Sequence, residues 1–243
     1  MATERLFDSQ ATETPATAGG DRRSYDQRLD AILAAATRVI ARAGYARASM
    51  RAVAREAGVS LAGIYHYVPN KERMLFLIQF RTFNALLNNL RERLHGVDEP
   101  AEQLATMIRA HVSYFAANIA ALRVCSHELD TLTGAAFEET RRIRREYYEV
   151  ARAIVDRVIR THDPGSTLDR HVATMSLFGT LNWLYRWYDP GRERSPNVVA
   201  GQIATQFIFG ITRGRYAPTG ESLPAAQRDT SATPPSASQP PPP

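Results

Sequence analysis

Apolar residues recur at spacings of three and four through the interior of the chain. No stretch alternates with β-branched enrichment, so the pattern predicts an all-α fold of about nine helices. The first helix is expected from Tyr25 to Ala43, with Leu29, Ile32, Leu33, Ala36, Val39 and Ile40 on one stripe and Gly44 ending it. Ser49 is placed to cap a short second helix that carries Val53, Ala54 and Ala57 up to Gly58. Ser60 caps a third, Leu61 to Tyr67, which Pro69 closes. The fourth opens at Asn70-Lys71-Glu72; its apolar surface, from Leu75 to Leu94, is too wide for one contact face and predicts packing on two partners. Pro100 opens a helix through Leu104, Ile108, Val112 and Phe115. Ile119 to Leu132 reads as a connecting helix and Ala135 to Thr161 as a long one, stopped by His162-Asp163-Pro164-Gly165. Leu168 to Tyr188 and Pro196 to Arg213 are the last two.

The two ends lack this periodicity. Residues 1–20 are rich in Ala, Thr, Ser and Gly, and residues 217–243 hold eight of the fourteen prolines, so both are expected to be disordered. The organisation expected is an arm over 1–20, a three-helix unit with a helix-turn-helix over 21–70, a larger helical unit over 71–213 and a Pro-rich tail over 214–243. At 44% hydrophobic and 23% charged residues the interior can bury a core without staples, and the single cysteine, Cys125, cannot form an internal bridge. No run approaches the ~18 apolar residues of a membrane span, and the first residues lack the apolar core of a signal peptide, so a cytoplasmic protein with no membrane partner is expected.

Charge changes the picture once it is located. Residues 21–73 hold ten basic and five acidic side chains, which equals the +5 of the whole chain, so the remainder is balanced. The tendency to bind a polyanion therefore belongs to the N-terminal quarter. In that quarter two short helices meet at Gly58-Val59-Ser60, with Ala54 four residues before the glycine and Val59 and Ile64 at buried spacing. A glycine that can take a positive φ and a small alanine at the crossing are what a helix-turn-helix needs.

The stretch SMRAVAREAGVSLAGIYHYVPNKERML, residues 49–75, resembles the DNA-binding end of the TetR family of bacterial transcriptional regulators, and the resemblance extends over residues 25–80. It implies that Tyr65, Tyr67 and Lys71 contact DNA phosphates; Tyr67-Val68 departs from the commoner His-Phe pair, within family variation. Lys71 is the only lysine beside 29 arginines, and a compact charge at a helix N-terminus suits a phosphate. Ser49 and Arg51, opening the second helix, are expected at the backbone. Leu61, Ala62, Gly63 and His66 lie where base edges are accessible, and small residues there favour thymine-methyl contacts and shape readout. His66 either reads a base or touches only phosphate or water, and Tyr65 is expected to be partly core with its hydroxyl outward.

In the second unit, Leu181-Asn182-Trp183-Leu184-Tyr185-Arg186-Trp187-Tyr188-Asp189-Pro190-Gly191, with Gly201 to Thr212, is similar to the end of the TetR branch that represses fatty-acid and steroid breakdown and releases DNA on binding acyl-CoA. The resemblance implies a homodimer on a palindromic double-stranded operator and a small lipophilic effector, with acyl-CoA the leading candidate. Met107, His111, Tyr114, Phe115, Tyr148, Asn182 and Trp183 can line an apolar cavity, or can be plain core. Arg141, Arg142, Arg144, Arg145 and Arg186 can receive phosphates, or form a solvated face paired with Glu138, Glu139 and Glu146. Arg186 can equally pair with Asp189 at a helix end.

The six histidines show no metalloprotease or Cys-pair spacing, and nucleophile-elbow, P-loop and dinucleotide motifs are missing. No catalytic residues, metal or cofactor are expected; His127-Glu128 with Asp130 would make a metal site only if remote ligands converged. Two rivals remain: the same fold sensing a lipophilic drug and controlling an efflux pump, and a helical enzyme acting on acyl thioesters.

Overall fold

The computed structural model describes residues 16–213, with side chains from Arg23 onward. The expectations for residues 1–15 and for the Pro-rich tail lie outside the described residues. The described chain is all helical: α1 (Ala16–Ala43), α2 (Met50–Ala57), α3 (Leu61–Tyr67), α4 (Lys71–Leu94), α5 (Pro100–Ala117), α6 (Ile119–His127), a 3₁₀ turn (Leu129–Thr131), α7 (Gly134–His162), α8 (Arg170–Asn182), α9 (Leu184–Trp187) and α10 (Pro196–Arg213).

Three boundaries differ from the expectation. α1 begins at Ala16, so residues 16–20 are helical and not part of a disordered arm; with no proline between Ala16 and Tyr25, each added residue gains one backbone bond once the helix is nucleated. The helix expected over 168–188 breaks at Trp183, after which α9 makes one further turn. The connecting helix stops at His127, and the 3₁₀ turn carries the chain to Leu132.

The six-residue stripe of α1 is buried as its spacing dictates, and it packs with Val53 and Ala54 of α2, Ile64 of α3 and Met74, Leu75 and Ile78 of α4. Gly58 adopts φ 66°, ψ 32°, the left-handed conformation that lets α2 end and the chain turn into α3. Ser49 accepts the Ala52 N–H at 3.2 Å and Ser60 the Gly63 N–H at 3.0 Å, each cap contributing about 1 kcal/mol.

α4 serves two cores, as its wide apolar surface requires. Its first half belongs to the N-terminal core, and Leu86, Leu87 and Leu90 belong to a second core with Leu104 and Ile108 of α5, Ile154 and Val158 of α7 and Leu177 of α8. One continuous helix thus runs through both cores.

Candidate DNA-binding surface and effector cavity

α3 presents Tyr65, 49% exposed, and His66 to solvent, while Ile64 and Val68 anchor it below. Tyr65 is thus more exposed than its expected half-core position, because Ile64 fills the single inward place on this short helix. Ala62 is exposed and Leu61 and Gly63 are half-buried on the same helix; Ser49 and Arg51 are exposed at the start of α2. A Cβ at Gly63 would stand 3.1 Å from Ser60 Oγ, so this position stays small to keep the α3 cap. Tyr25 of α1 is a member of this surface that sequence reasoning passed over. Its ring lies 4.7 Å from Tyr67 and 6.2 Å from His66, and His66 and Tyr67 meet edge-on at 5.2 Å. Its position at the start of an apolar stripe suggested a helix end and nothing more.

Lys71 does not reach outward. Its Nζ donates to the carbonyl oxygens of Tyr45 at 3.0 Å, Ala48 at 3.1 Å and Ala46 at 3.4 Å, and lies 4.2 Å from the centre of the Tyr45 ring. Three ammonium protons meet three carbonyls, so the side chain clamps the turn between α1 and α2. Backbone amides at the start of α4 remain to meet a phosphate there, Asn70 having taken the Arg73 N–H at 2.7 Å. A second tie runs from Glu72, whose Oε1 accepts the Thr133 hydroxyl at 2.8 Å and its N–H at 3.2 Å, just before α7.

Between α5, α6, α7 and α8 lies a cavity of about 550 Å³. Each helix contributes a stripe: His111 and Phe115 from α5, Cys125 and Ser126 from α6, Arg141, Arg144, Arg145 and Tyr148 from α7, and His171, Met175, Phe178 and Asn182 from α8. Phe83 of α4 completes the aromatic wall. Of the candidate ligand contacts, the cavity gathers His111, Phe115, Tyr148 and Asn182. Met107 is fully buried core away from it, and Tyr114 faces a separate cleft beside α1 and α4. Trp183 and Arg186 are also elsewhere, because the break at Trp183 turns them off the inward face of α8; the Arg186 guanidinium stacks 5.6 Å from the exposed Trp183 ring. Asp189 pairs with Arg192 and not with Arg186.

The arginines divide. Arg142 forms ion pairs with Glu139 and Glu146 and does not line the cavity. Arg141 and Arg145 line it and hold only loose pairs, at 3.8 Å to Glu138 and 3.9 Å to Glu149. Arg144 lines it without any carboxylate within ion-pair distance among the described residues. It donates to Cys125 O at 2.7 Å and reaches Gln79 Oε1 at 3.5 Å, with its guanidinium 4.8 Å from the centre of the Phe83 ring. Burial lowers its pKa, against smaller opposing effects of Cys125 and of the Asp130 carboxylate, which lies beyond ion-pair distance. Burial also pushes the Cys125 thiol up to about 12, leaving it an inert part of the wall.

Gln79, itself fully buried, passes the connection on: its Nε2 donates to Glu128 O at 3.0 Å, and Glu128 Oε1 accepts the Tyr45 N–H at 3.0 Å. His127 and Glu128 are thereby engaged otherwise than in a metal site, His127 Nε2 lying 2.7 Å from Tyr185 Oη. Among the described residues no three metal-ligating side chains gather, and no helix is long and apolar enough to cross a membrane.

Comparison with known proteins agrees with this geometry. Residues 32–78 match the profile of bacterial regulatory proteins of the tetR family, and residues 97–211 match that of the tetracyclin repressor-like C-terminal domain. The fatty acid metabolism regulator protein of Bacillus subtilis is 27% identical over 161 residues, 66% of this chain and 81% of that protein. A TetR-family transcriptional regulator from Bordetella parapertussis 12822 superposes with a TM-score of 0.68 at 27% identity, covering 74% of this chain and 93% of that one. AibR, solved with isovaleryl coenzyme A and operator DNA, shares the fold with a TM-score of 0.64 at 24% identity, covering 76% of this chain and 98% of its own. Fold and helix-turn-helix together define a DNA-binding transcriptional regulator. The chain belongs to the TetR family.

Proposed function

We propose that the protein is a homodimeric repressor that binds a palindromic operator and is released by an acyl-CoA. The observation that carries the effector is Arg144, a half-buried cation with no carboxylate within ion-pair distance among the described residues, standing in an apolar cavity beside Arg141 and Arg145. Phenyl rings suit an acyl chain, and guanidinium forks suit the phosphates or the thioester end of CoA. The similarity to a fatty acid metabolism regulator points the same way. Lipophilic drugs lacking an anion leave Arg144 uncompensated, which disfavours the efflux-pump reading.

On the DNA side, His66, Leu61, Ala62 and Gly63 face base edges in the major groove. Tyr65, Tyr67, Ser49, Arg51 and the amides opening α4 hold phosphates, while Lys71 keeps the α1–α2 turn in shape. Val172, Trp183, Trp187, Val198 and Phe209 stand exposed on α8, α9 and α10. A Cβ at Gly179, Gly201 or Gly210 would meet nothing within 4 Å, so nothing among the described residues of one chain requires these glycines. A second copy packed on this face would bury the aromatics and use the close approach that glycine permits. Effector anions that draw Arg144 from Cys125 O and Gln79 would loosen α6 from α4, favouring a dimer spacing that no longer fits the operator.

The test is a DNA-release titration with lauroyl-CoA, lauric acid and free CoA. The expected result is release by lauroyl-CoA at a concentration about tenfold or more below that of the acid, with no release by CoA alone. Arg144→Gln, which loosens the same tie, is expected to weaken operator binding in the absence of effector and to abolish most of the difference between the two lauroyl compounds. Release by neither lauroyl compound overturns the acyl-CoA reading.

A further inference from the structure

Tyr25 belongs to the DNA-facing surface although it lies outside the helix-turn-helix. α1 begins at Ala16, so Tyr25 stands about two turns inside a helix and not at its end. Leu29, one turn further along the same face, is buried in the N-terminal core. The stripe that buries α1 therefore continues beyond the core as one ring, 39% exposed, which rests on Tyr67 with centroids 4.7 Å apart and planes tilted by 33°.

His66 has little else to hold it. It is exposed and makes no side-chain hydrogen bond or ion pair among the described residues. Its ring meets two others: Tyr67, edge-on at 5.2 Å and 89°, and Tyr25, edge-on at 6.2 Å and 73°. α3 is only seven residues long, and Ile64 takes its one buried place. An imidazole on an exposed turn keeps its rotamer freedom unless neighbouring rings limit it, and freedom that must be given up on binding counts against affinity. Here two rings from two helices limit it before DNA arrives.

We propose that Tyr25 is a positioning residue for sequence readout: its ring, carried on α1, holds the His66 imidazole in the orientation that meets a base edge, both directly and through Tyr67. The proposal rests on the reading that His66 reads a base. The contribution is preorganisation and not charge, so it acts on the operator position that His66 meets and leaves the others as they are. The ring supplies it, since the Tyr25 hydroxyl makes no hydrogen bond among the described residues. Phenylalanine offers the same ring, whereas leucine fills space without the quadrupole that favours an edge-on contact.

Binding selection from a randomised operator pool, with the full chain, tests this. Tyr25→Leu is expected to relax preference about three- to tenfold at the one position that His66→Ala relaxes, and to leave the remaining positions unchanged. Tyr25→Phe is expected to keep the wild-type profile. In the double variant of Tyr25→Leu with His66→Ala, preference at that position is expected to be no looser than in His66→Ala alone, as for two residues acting through one contact. Weakening of all sequences alike overturns the proposal, whether by Leu only, as loss of a merely structural contact, or by Phe as well, as loss of a hydroxyl on a phosphate. An unchanged profile in Tyr25→Leu, or additive effects in the double variant, overturns it too. Should His66→Ala itself leave the profile unchanged, the base-reading assignment fails by itself. Side-chain ¹³C relaxation of labelled histidine in the free protein then decides for the ring contact: greater mobility of the His66 ring in Tyr25→Leu than in wild type and Tyr25→Phe supports it, and equal mobility in all three overturns it.

Discussion

Glu128 accepts the backbone N–H of Tyr45 at 3.0 Å across 83 positions of sequence, joining the end of α6 to the turn that precedes the helix-turn-helix. The other carboxylate oxygen takes the Thr131 hydroxyl at 3.2 Å, and the residue's own carbonyl takes Gln79. One residue thus touches the cavity's supporting glutamine on one side and the DNA-binding unit on the other. Tyr45 is held from its far side by Lys71, so the turn has an anchor on each of its two polar groups.

Glu128→Ala leaves the Tyr45 N–H without its acceptor and is expected to cost about 1 to 3 kcal/mol of stability. Glu128→Gln, which keeps an oxygen at that place, is expected to cost less. Thermal melts should rank wild type above Gln above Ala. Operator titrations with and without lauroyl-CoA should show a smaller effector response in the Ala variant, since the linkage between the sites is reciprocal. An unchanged response would leave the Glu128 contact with a merely structural role.

Lys71→Ala is expected to weaken binding to specific and non-specific DNA alike, by loosening the α1–α2 turn, and to lower the melting temperature. Because the ammonium is spent on three carbonyls, the slope of log affinity against log salt is expected to stay as in wild type. A direct phosphate contact would instead reduce that slope by about one. A salt titration separates the two roles.

His66→Ala is expected to relax preference at one operator position by about 1 to 3 kcal/mol. Tyr67→Phe, altering a ring held between Tyr25 and His66, is expected to weaken all sequences about equally. Binding selection from a randomised operator pool reads both outcomes. Identical profiles for His66→Ala and wild type would remove the base-reading role.

The pH dependence of stability should carry the mark of His111. Its pKa in the folded chain is about 3, below its ordinary 6.5 because burial disfavours the cation. Between those values the unfolded chain holds a proton on this ring that the folded chain does not, so stability falls as pH drops through that window and is unaffected by this ring above it. In His111→Phe the loss on acidification from pH 6 to pH 4 should be shallower by roughly 1 kcal/mol per pH unit, as read by denaturant unfolding at each pH.

Much of the fold was legible because α1, α4 and α5 write their buried faces at spacings of three and four, and because Ser49, Gly58 and Ser60 punctuate α2 and α3 unambiguously. The cavity was half legible. His111 with Phe115 and Arg141 with Arg145 and Tyr148 follow helical spacing, and so do His171, Met175, Phe178 and Asn182, a stripe that the aromatic density around Trp183 obscured. A tryptophan-rich run looks like a pocket, but nothing local in the sequence announces the one-residue break that turns it outward. Lys71 and Gln79 were illegible for another reason: their partners are backbone carbonyls and a distant residue, contacts that leave no residue-type signature at short range.

The sole lysine makes the chain its own clock. An ε-ammonium bound to three carbonyls cannot react with an acylating reagent until the turn over residues 44–48 lets go. The rate at which Lys71 is labelled therefore measures local opening at the hinge of the helix-turn-helix, without any probe having to be introduced. Operator DNA should slow that labelling and effector should change it, turning one side chain into a continuous readout of how tightly the reading head is held.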